Sequence, residues 1–376
     1  MLDGKEFYKA LIENKISFFA GVPDTLLKDF CACVTDTADP KNHIIAANEG
    51  NAIALAAGYY LASGYPGLVY MQNSGLGNAV NPLTSLVDTD VYSIPLLLLI
   101  GWRGEPGQED EPQHIKQGKI TLPLLETLDI PYNVLPGNQK EAIACLRTAV
   151  EVMLSNLCPY ALVVRKDTFM PYRLQEQTGG RYEMAREDAI SIFADGLGPR
   201  DIIVSTTGKA SRELFEYHAA RGREHLGQDF WTVGSMGHAS QIALGIALGQ
   251  PHRQVFCLDG DGALIMHMGA LAVIGTRRPP NFKHLIINNG AHDSVGGQRT
   301  AGFDIDIPAI AQACGYLMAS RAETRDELRA QLETFRESRG PALLEVRVNK
   351  GSRPDLGRPA TSPKENKENF MRFLRG

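Results

Sequence analysis

A carboxylate and an amide follow two apolar runs of the chain in an arrangement that suits a metal ion. Asp261, between two glycines, comes directly after the run 255–258, and Asn289 follows the run 285–287. If both runs are parallel strands joined by a helix, both side chains lie at the edge of the sheet where open α/β proteins bind ligands. Carboxylate and amide oxygens suit Mg²⁺, which takes its remaining ligands from phosphates. The spacing therefore predicts a magnesium and phosphate site, although each segment alone is also typical of a simple turn.

The elements that must position these residues alternate between strand-like and helix-like runs. This alternation is typical of an α/β fold with a parallel sheet. The predicted strands are 44–47, 68–71, 96–100, 133–135, 161–164, 202–205, 230–233, 255–258, 285–287, 316–319 and 343–348. The predicted helices include 51–63, 78–87, 263–275 and 365–374.

The length of the chain predicts two domains, because 376 residues exceed one ordinary hydrophobic core. The segment 171–184 is polar and contains proline and glycine, which favours a linker. We therefore expect a first domain over 1–170 and a second over 185–376, the second including a loop-like tail at 351–363.

Composition excludes several classes of partner. A formal charge of −5 disfavours a nucleic-acid partner. The longest apolar run, 94–100, is far shorter than the roughly 20 residues of a membrane helix, and the charged amino terminus lacks the apolar region of a signal peptide. Six cysteines scattered among apolar neighbours indicate reduced thiols. We expect a cytoplasmic protein without a membrane or nucleic-acid partner.

Two further segments place chemistry-bearing residues between a strand and a helix. Glu49 ends a buried strand before an alanine-rich helix, where a carboxylate also serves as a simple helix-start residue. Gly234, Ser235 and Met236 form a turn before the helix near residue 238, and a methionine there is usually part of the core. Each segment alone leaves the structural interpretation open.

Taken together, these segments resemble the thiamine diphosphate enzymes. The resemblance implies two doubly wound parallel-sheet domains, one binding the pyrimidine and one binding the diphosphate. It implies that Asp261 and Asn289 bind Mg²⁺ by their side chains and Ala291 by its carbonyl. The implied cofactor-binding residues are Glu49, Gly234, Ser235, Met236, Gly260, Asp261, Gly262, Asn289, Ala291 and Ser294.

The resemblance also implies roles around the pyrimidine ring. Glu49 would hold the ring nitrogen and promote the imino tautomer, which removes the proton from the reactive carbon. Gly234 would accept from the exocyclic amine through its carbonyl, and Met236 would hold the cofactor bent. Family members share active sites between chains, so we expect at least a homodimer.

The chain has no room for the central domain that many of these enzymes contain. Its segments 21–24, 110–114, 288–297 and 351–359 resemble the phosphonopyruvate decarboxylase family. This likeness implies decarboxylation of 3-phosphonopyruvate, an anionic 2-oxo acid, in phosphonate biosynthesis. The alternatives are a sulfopyruvate decarboxylase, another 2-oxo acid decarboxylase, and a non-catalytic phosphate-binding protein. A carboligase is disfavoured because such enzymes usually contain the central domain.

Proton transfer requires groups near the reacting carbon. The candidates are Asp24, His114 and His292, although Asp24 would also serve as a helix cap and His292 as a plain loop residue. Acidic neighbours favour a raised pKa and a protonated state for His114. Charge-assisted donors for the phosphonate are available at Arg103, Lys116, Arg353 and Arg358. We expect the arginine-bearing tail to fold over the substrate.

Overall fold

The computed structural model describes residues 1–175, 180–222, 227–359 and 361–376. The chain divides into a first unit, Met1–Gln177 with Ser294–Gln298, and a second unit, Thr178–Asp293 with Arg299–Gly376. Four positions of the predicted linker, 176–179, lie outside the described residues.

The first unit is built on one parallel sheet. Its strands are β1 (Phe18–Gly21), β2 (His43–Ile45), β3 (Gly67–Gln72), β4 (Leu97–Gly101), β5 (Tyr132–Val134) and β6 (Tyr160–Val164). Its helices are α1 (Gly4–Glu13), α2 (Lys28–Thr37), α3 (Glu49–Ser63), α4 (Leu76–Ser85), α5 (Pro112–Thr127) and α6 (Gln139–Asn156). The strand order is β2-β1-β3-β4-β6-β5, and every pairing is parallel.

Both faces of this sheet are covered by helices. Leu97 and Leu99 of β4 pack into a core with α1, α2 and α6, whereas Leu98 and Ile100 pack into a second core with α3 and α4. A strand buried on both faces has a continuous apolar sequence, because neither set of alternating side chains meets water. This burial explains the uninterrupted aliphatic run at β4.

The second unit repeats this architecture. Its strands are β7 (Ile202–Ser205), β8 (Asp229–Trp231), β9 (Val255–Gly260), β10 (Phe282–Asn288), β11 (Met318–Ala322) and β12 (Ala342–Arg347). Its helices are α7 (Arg186–Asp195), α8 (Lys209–Ala219), α9 (Ala239–Gly249), α10 (Asp261–Met266), α11 (Ala270–Arg277), α12 (Ile307–Ala313), α13 (Arg325–Glu337) and α14 (Pro363–Arg375). The strands are parallel in the order β11-β12-β10-β9-β7-β8.

The predicted fold class, two doubly wound parallel-sheet domains, is confirmed. All the strands of the described residues belong to these two sheets. The prediction missed β1, a short run that ends in glycine. The single helix predicted at 263–275 is wrong, because α10 ends at Met266 and α11 begins at Ala270. Gly269, a poor helix former, lies in the break between them.

Two further features follow from the described residues. They include no helix that is long and apolar enough to cross a membrane. All six cysteines are unpaired thiols, four of them buried and two half-buried, as the sequence predicted.

Candidate active site

The second unit brings Asp261 and Asn289 together at the carboxyl edge of its sheet. Asp261 begins α10 directly after β9, Asn289 follows β10, and these two strands are paired neighbours. The backbone N–H of Asn289 donates to Asp261 Oδ1 at 3.4 Å, and the Thr300 hydroxyl donates to Asp261 Oδ2. The sequence spacing therefore did predict neighbouring side chains.

These residues fit a magnesium ion. Asp261 is only 2% exposed, and burial raises the pKa of its carboxyl to about 6 against the opposing hydrogen bond from Thr300. A divalent cation would offset that cost, because an adjacent positive charge favours the ionised carboxylate. Asn289 and Ala291, both buried, add an amide and a backbone carbonyl oxygen. Asn289 Oδ1 also accepts from the Ala291 N–H at 3.1 Å, which folds this segment tightly.

A buried polar network on β9 and β10 bonds to the first residue of the Gly-Asp-Gly turn. Cys257, Asp259 and His284 lie on one face of β9 and β10, with potential ligand atoms within 4.8 Å of one another. Asp259 Oδ1 accepts from the Gly260 N–H at 2.9 Å, and Asp259 Oδ2 lies 3.5 Å from His284 Nε2. His284 Nδ1 lies 3.2 Å from the Tyr316 hydroxyl. The network therefore ties the start of the turn to the neighbouring strand.

Met236, Gly262 and His292 converge beside the metal-site residues. A Cβ atom added at Gly262 would lie 3.1 Å from His292 Cε1 and 3.5 Å from Met236 Cε. The turn that presents Met236 is tightly constrained, since Gly237 has a φ of 84° and a Cβ there would lie 2.6 Å from His267 Cδ2. Only glycine adopts this conformation without strain.

The turn before Met236 is also fixed by its backbone. The Gly234 N–H donates to Thr207 Oγ1 at 3.1 Å, and Ser235 has a φ of 46°. A positive φ is uncommon outside glycine and is concentrated at functional sites. His292 is half-buried, and burial lowers the pKa of its imidazole to about 4, so the ring is neutral at neutral pH.

Arg186 anchors the loop that follows Asn289. Its guanidinium donates to both oxygens of Glu213, to Asp293 Oδ2 at 3.0 Å and to the Gly351 carbonyl at 3.2 Å. Lys209 Nζ donates to the Asp293 carbonyl at 3.0 Å. Asp293 directly follows His292, so this buried arginine fixes the backbone of a predicted catalytic residue and the beginning of the tail.

In the first unit, Glu49 begins α3 and is 6% exposed. Asn48 caps the helix by accepting from the Asn51 N–H at 3.0 Å. Glu49 Oε2 accepts from Asn78 Nδ2 at 2.7 Å, and a Cβ at Gly75 would lie 2.4 Å from Glu49 Oε1. The structure thus holds a buried carboxylate at the amino end of a helix, where the backbone N–H groups favour negative charge.

Asp24 follows β1 and is fully buried against the end of β4. A Cβ at Gly101 would lie 2.0 Å from Asp24 Oδ2, which accepts from the Leu26 N–H at 3.0 Å. Burial raises the pKa of the Asp24 carboxyl from its ordinary 3.8 to about 6, although that hydrogen bond and the charge of Arg103 act in the opposite direction. The helix-cap interpretation of Asp24 is wrong, because the N-cap of α2 is Leu27. The Asp24 carboxyl is instead a group that titrates near neutral pH.

His114 has a lowered pKa, so the expectation of a raised one was wrong. The ring is buried at the start of α5, and desolvation lowers its pKa to about 4. The charge of Arg103 acts in the same direction, and Asp110 opposes it only in part because Asp110 is itself paired with Arg103. His114 is therefore a neutral imidazole at neutral pH.

The predicted substrate cations have different surroundings. Arg103 forms a fork with Asp110 and donates to Thr25 Oγ1 at 2.8 Å. Arg353 pairs with three carboxylates of the second unit. The partners of Arg353 are Glu187, Glu216 and Asp355. Lys116, Arg358 and the predicted cofactor-binding Ser294 are exposed.

Comparison with known proteins agrees with this geometry. Residues 4–121 match the family described as thiamine pyrophosphate enzyme, N-terminal TPP binding domain, and residues 206–346 match the C-terminal TPP binding domain. A phosphonopyruvate decarboxylase of Streptomyces viridochromogenes is 36% identical over 390 aligned residues, which cover 100% of this chain and 95% of that protein. The chain belongs to the phosphonopyruvate decarboxylase family.

Two other relatives also extend over nearly the whole chain. A phosphonopyruvate decarboxylase of Streptomyces hygroscopicus is 34% identical, covering 99% of this chain and 94% of the relative. A sulfopyruvate decarboxylase of Methanosarcina acetivorans is 29% identical, covering 96% and 95%. As a member of the phosphonopyruvate decarboxylase family, the chain is a thiamine diphosphate-dependent decarboxylase, a carbon–carbon lyase.

Three contacting residues were not found from the sequence. Thr300 bonds to Asp261, Asn78 to Glu49, and Arg186 to the loop after Asn289. None stands in a recognisable motif, because threonine, asparagine and arginine are common on surfaces. Asn78 follows a segment with two glycines, 75–77, which is equally typical of a turn.

We expect Asp24→Asn to stabilise the first unit above pH 6. Between about pH 4 and pH 6 the unfolded carboxyl loses its proton while the folded one keeps it, so wild-type stability falls as the pH rises. Above pH 6 the cost stays constant at ~3 kcal/mol at most, since one pKa unit corresponds to about 1.4 kcal/mol. Urea unfolding of the wild type and of Asp24→Asn at pH 4.0 and 7.5 measures the change in the free energy of unfolding with pH. The variant lacks this contribution, because its amide has no proton to lose. Equal free energies of unfolding for the wild type and Asp24→Asn at pH 7.5 would contradict the raised pKa of Asp24.

We expect Arg186→Met to destabilise the second unit by ~3–5 kcal/mol, because it leaves the buried carboxylate of Glu213 without its arginine partner and removes one of the two cations beside the half-buried Asp293. Arg325→Met is the matched control, since Arg325 pairs with Glu183 and Asp188 near the surface and should cost under ~1 kcal/mol. Denaturant unfolding of both variants tests this. Similar losses in the two variants would show that Arg186 does not act as a buried anchor.

Proposed function

We propose that this protein converts 3-phosphonopyruvate, with one proton, to phosphonoacetaldehyde and CO₂ as a step of phosphonate biosynthesis. The observation that supports this most directly is the 36% identity to a phosphonopyruvate decarboxylase over 95% of that relative. The six unpaired thiols suit the reducing cytoplasm, where we place the reaction.

The second unit would hold the diphosphate end of the cofactor. Asp261 and Asn289 would bind Mg²⁺ with their side chains and Ala291 with its carbonyl, and phosphate oxygens would complete the shell. Gly260 and Gly262 flank Asp261 without side chains, which lets a phosphate approach the amino end of α10. Met236, whose Cε lies 3.5 Å from the position of a Cβ added at Gly262, would set the bend of the cofactor.

The first unit would hold the pyrimidine end. Thiamine diphosphate, when bound, supplies a nucleophilic carbon and an electron sink for the charge released with CO₂. Glu49 is buried at the start of α3 and would share a proton with the ring nitrogen. A carboxylate is needed there because that ring nitrogen must gain a proton for the exocyclic amine to act as a base.

The reaction consumes a proton, and Asp24 is our candidate for its source. Its pKa of about 6 leaves a useful protonated fraction near neutral pH, whereas His114 and His292, each with a pKa of about 4, are neutral there. The two imidazoles would instead donate or accept a hydrogen bond at the substrate oxygens. The best catalytic acid has a pKa close to the working pH.

Arg103 is our candidate for the phosphonate. A guanidinium has five N–H donors, and the bonds to Asp110 and Thr25 use three of them. Thr25 also lies beside Asp24, at 3.4 Å between Oγ1 and Oδ1, so Arg103 and the proton source share one end of the sheet. Arg353 is a weaker candidate because its three carboxylate partners already neutralise it.

We also propose that the protein acts as a homodimer with shared sites and that its tail covers the substrate. The cofactor would contact both kinds of unit, since Glu49 lies in the first and Asp261 in the second. The base of the tail, at Gly351, donates its N–H to Asp293 Oδ2 at 3.2 Å, which places it next to the loop after His292.

The second candidate is decarboxylation of sulfopyruvate or another 2-oxo acid. A full-length sulfopyruvate decarboxylase is 29% identical to this chain, which favours that acid among the alternatives. Phosphonate carries up to two negative charges and sulfonate one, so a site selective for phosphonate should depend more strongly on its cations.

Release of CO₂ and aldehyde by purified protein with thiamine diphosphate and Mg²⁺ tests the proposed function. We expect the highest kcat/KM with phosphonopyruvate, a lower value with sulfopyruvate and little turnover of pyruvate. Glu49→Gln should lower kcat by at least about 100-fold, within the range expected for a positioned acid–base group. Faster turnover of sulfopyruvate would favour the second candidate, and no turnover of any 2-oxo acid would contradict both.

Arg103→Met provides a separate test of substrate recognition. Loss of a charge-assisted donor should raise KM for phosphonopyruvate by about 10- to 100-fold. KM for pyruvate, which lacks the phosphonate, should change far less. Arg165→Met, which removes an exposed arginine that pairs with Glu105, is the control. A parallel loss with both substrates would show that Arg103 has only a structural role.

A further inference from the structure

The side chain of Asn78 hydrogen-bonds to the carboxyl group of Glu49. Asn78 lies in the first turn of α4, and its amide Nδ2 donates to Glu49 Oε2 at 2.7 Å. On the other oxygen, Gly75 leaves space, since a Cβ there would lie 2.4 Å from Oε1. The two oxygens of Glu49 therefore have different surroundings, one bonded to an amide and one beside a glycine.

A second glycine, Gly50, allows α3 and α4 to lie close enough for this bond. A Cβ added at Gly50 would lie 2.9 Å from the Asn78 carbonyl oxygen and 3.7 Å from Pro82 Cγ. The first turn of α3 can therefore approach α4 with its backbone. Asn78 itself is exposed, whereas Glu49 is buried, so the bond joins an exposed side chain to a buried carboxyl group.

We propose that Asn78 is a positioning residue that determines which oxygen of Glu49 addresses the pyrimidine ring nitrogen of the cofactor. This inference rests on the role proposed above for Glu49. The terminal torsion of a glutamate is broad and roughly two-fold, so the carboxyl group alone does not distinguish its oxygens. An N–H donor on Oε2 favours the unprotonated form of that oxygen, and the shared proton is then held on Oε1.

Loss of the Asn78 side chain should therefore weaken the binding of ligands that have the ring nitrogen, and of those ligands specifically. Without Asn78 the carboxyl group can rotate, and the proton is shared between two oxygens, only one of which faces the ring. The hydrogen bond to the ring nitrogen is then weakened, although the pocket around the rest of the cofactor is unchanged. Hydrogen bonds to a charged group support an effect of about 10- to 100-fold in affinity.

The matched control lies on the same helix. Asn81 is also an exposed asparagine of α4, but its side chain accepts from Ser85 Oγ at 2.7 Å and has no bond to Glu49. Asn78→Ala and Asn81→Ala therefore remove the same group from the same helix. Both positions are exposed, so neither change opens a cavity in the core.

The experiment measures dissociation constants by titration calorimetry in the presence of Mg²⁺, for the wild type and both variants. The ligands are thiamine diphosphate and an analogue in which a C–H group replaces the ring nitrogen. We expect Asn78→Ala to weaken thiamine diphosphate about 10-fold or more, to leave the analogue within about 2-fold, and Asn81→Ala to change neither. Hydrogen–deuterium exchange at the reactive carbon should slow in Asn78→Ala alone.

The outcomes separate this inference from the proposed function. If the wild type prefers thiamine diphosphate and Asn78→Ala weakens both ligands equally, Asn78 has only a structural role and the inference is overturned. If Asn78→Ala weakens neither ligand, the inference is also overturned, while the role of Glu49 stands. If the wild type binds both ligands equally, Glu49 does not address the ring nitrogen, and both conclusions fail.

Discussion

The structure depends on the burial of carboxylates at the ends of parallel strands. Asp24 and Glu49 in the first unit and Asp261 in the second are each 6% exposed or less. Each follows a strand, at a point where a helix or a tight turn begins. Backbone N–H groups there point toward the carboxyl edge of the sheet, where open α/β proteins bind ligands. Burial raises the pKa of both aspartates to about 6, so charge at these positions is costly. The surrounding residues reduce that cost only in part.

The polar neighbours of these carboxylates explain much of the remaining structure. The Thr300 hydroxyl donates to Asp261, and the Asn78 amide donates to Glu49. The backbone N–H of Leu26 donates to Asp24. A carboxylate has about four acceptor sites, so these donors still leave capacity for a ligand. A fully satisfied carboxylate would be more stable and chemically inert, which is the usual conflict between stability and function.

The sequence predicted most of the strands and the proximity of Asp261 and Asn289 because their signals are local. A buried parallel strand is a continuous apolar run, and Asp261 and Asn289 stand directly after two such runs. The unpredicted residues bond over long separations in the chain. Thr300 lies 39 residues from Asp261, and Arg186 lies 107 residues from Asp293. No pattern within one element contains these pairs. The pKa of His114 was misjudged for a related reason, since acidic neighbours are visible in a sequence and desolvation is not.

In the proposed function, the burial of these carboxylates would couple folding to the cofactor. A ligand that binds only the folded chain adds its binding free energy to the stability of that chain. In the proposed function Mg²⁺ would act on Asp261 and the ring nitrogen on Glu49, and both carboxylates have acceptor capacity left for a ligand. Asp261 and Glu49 lie in different units, and in the proposed function the cofactor would contact both kinds of unit. Charge on the buried Asp261 carboxyl is costly in the protein alone, so the same carboxyl that lowers the stability of the second unit would strengthen the binding of Mg²⁺ in the proposed function.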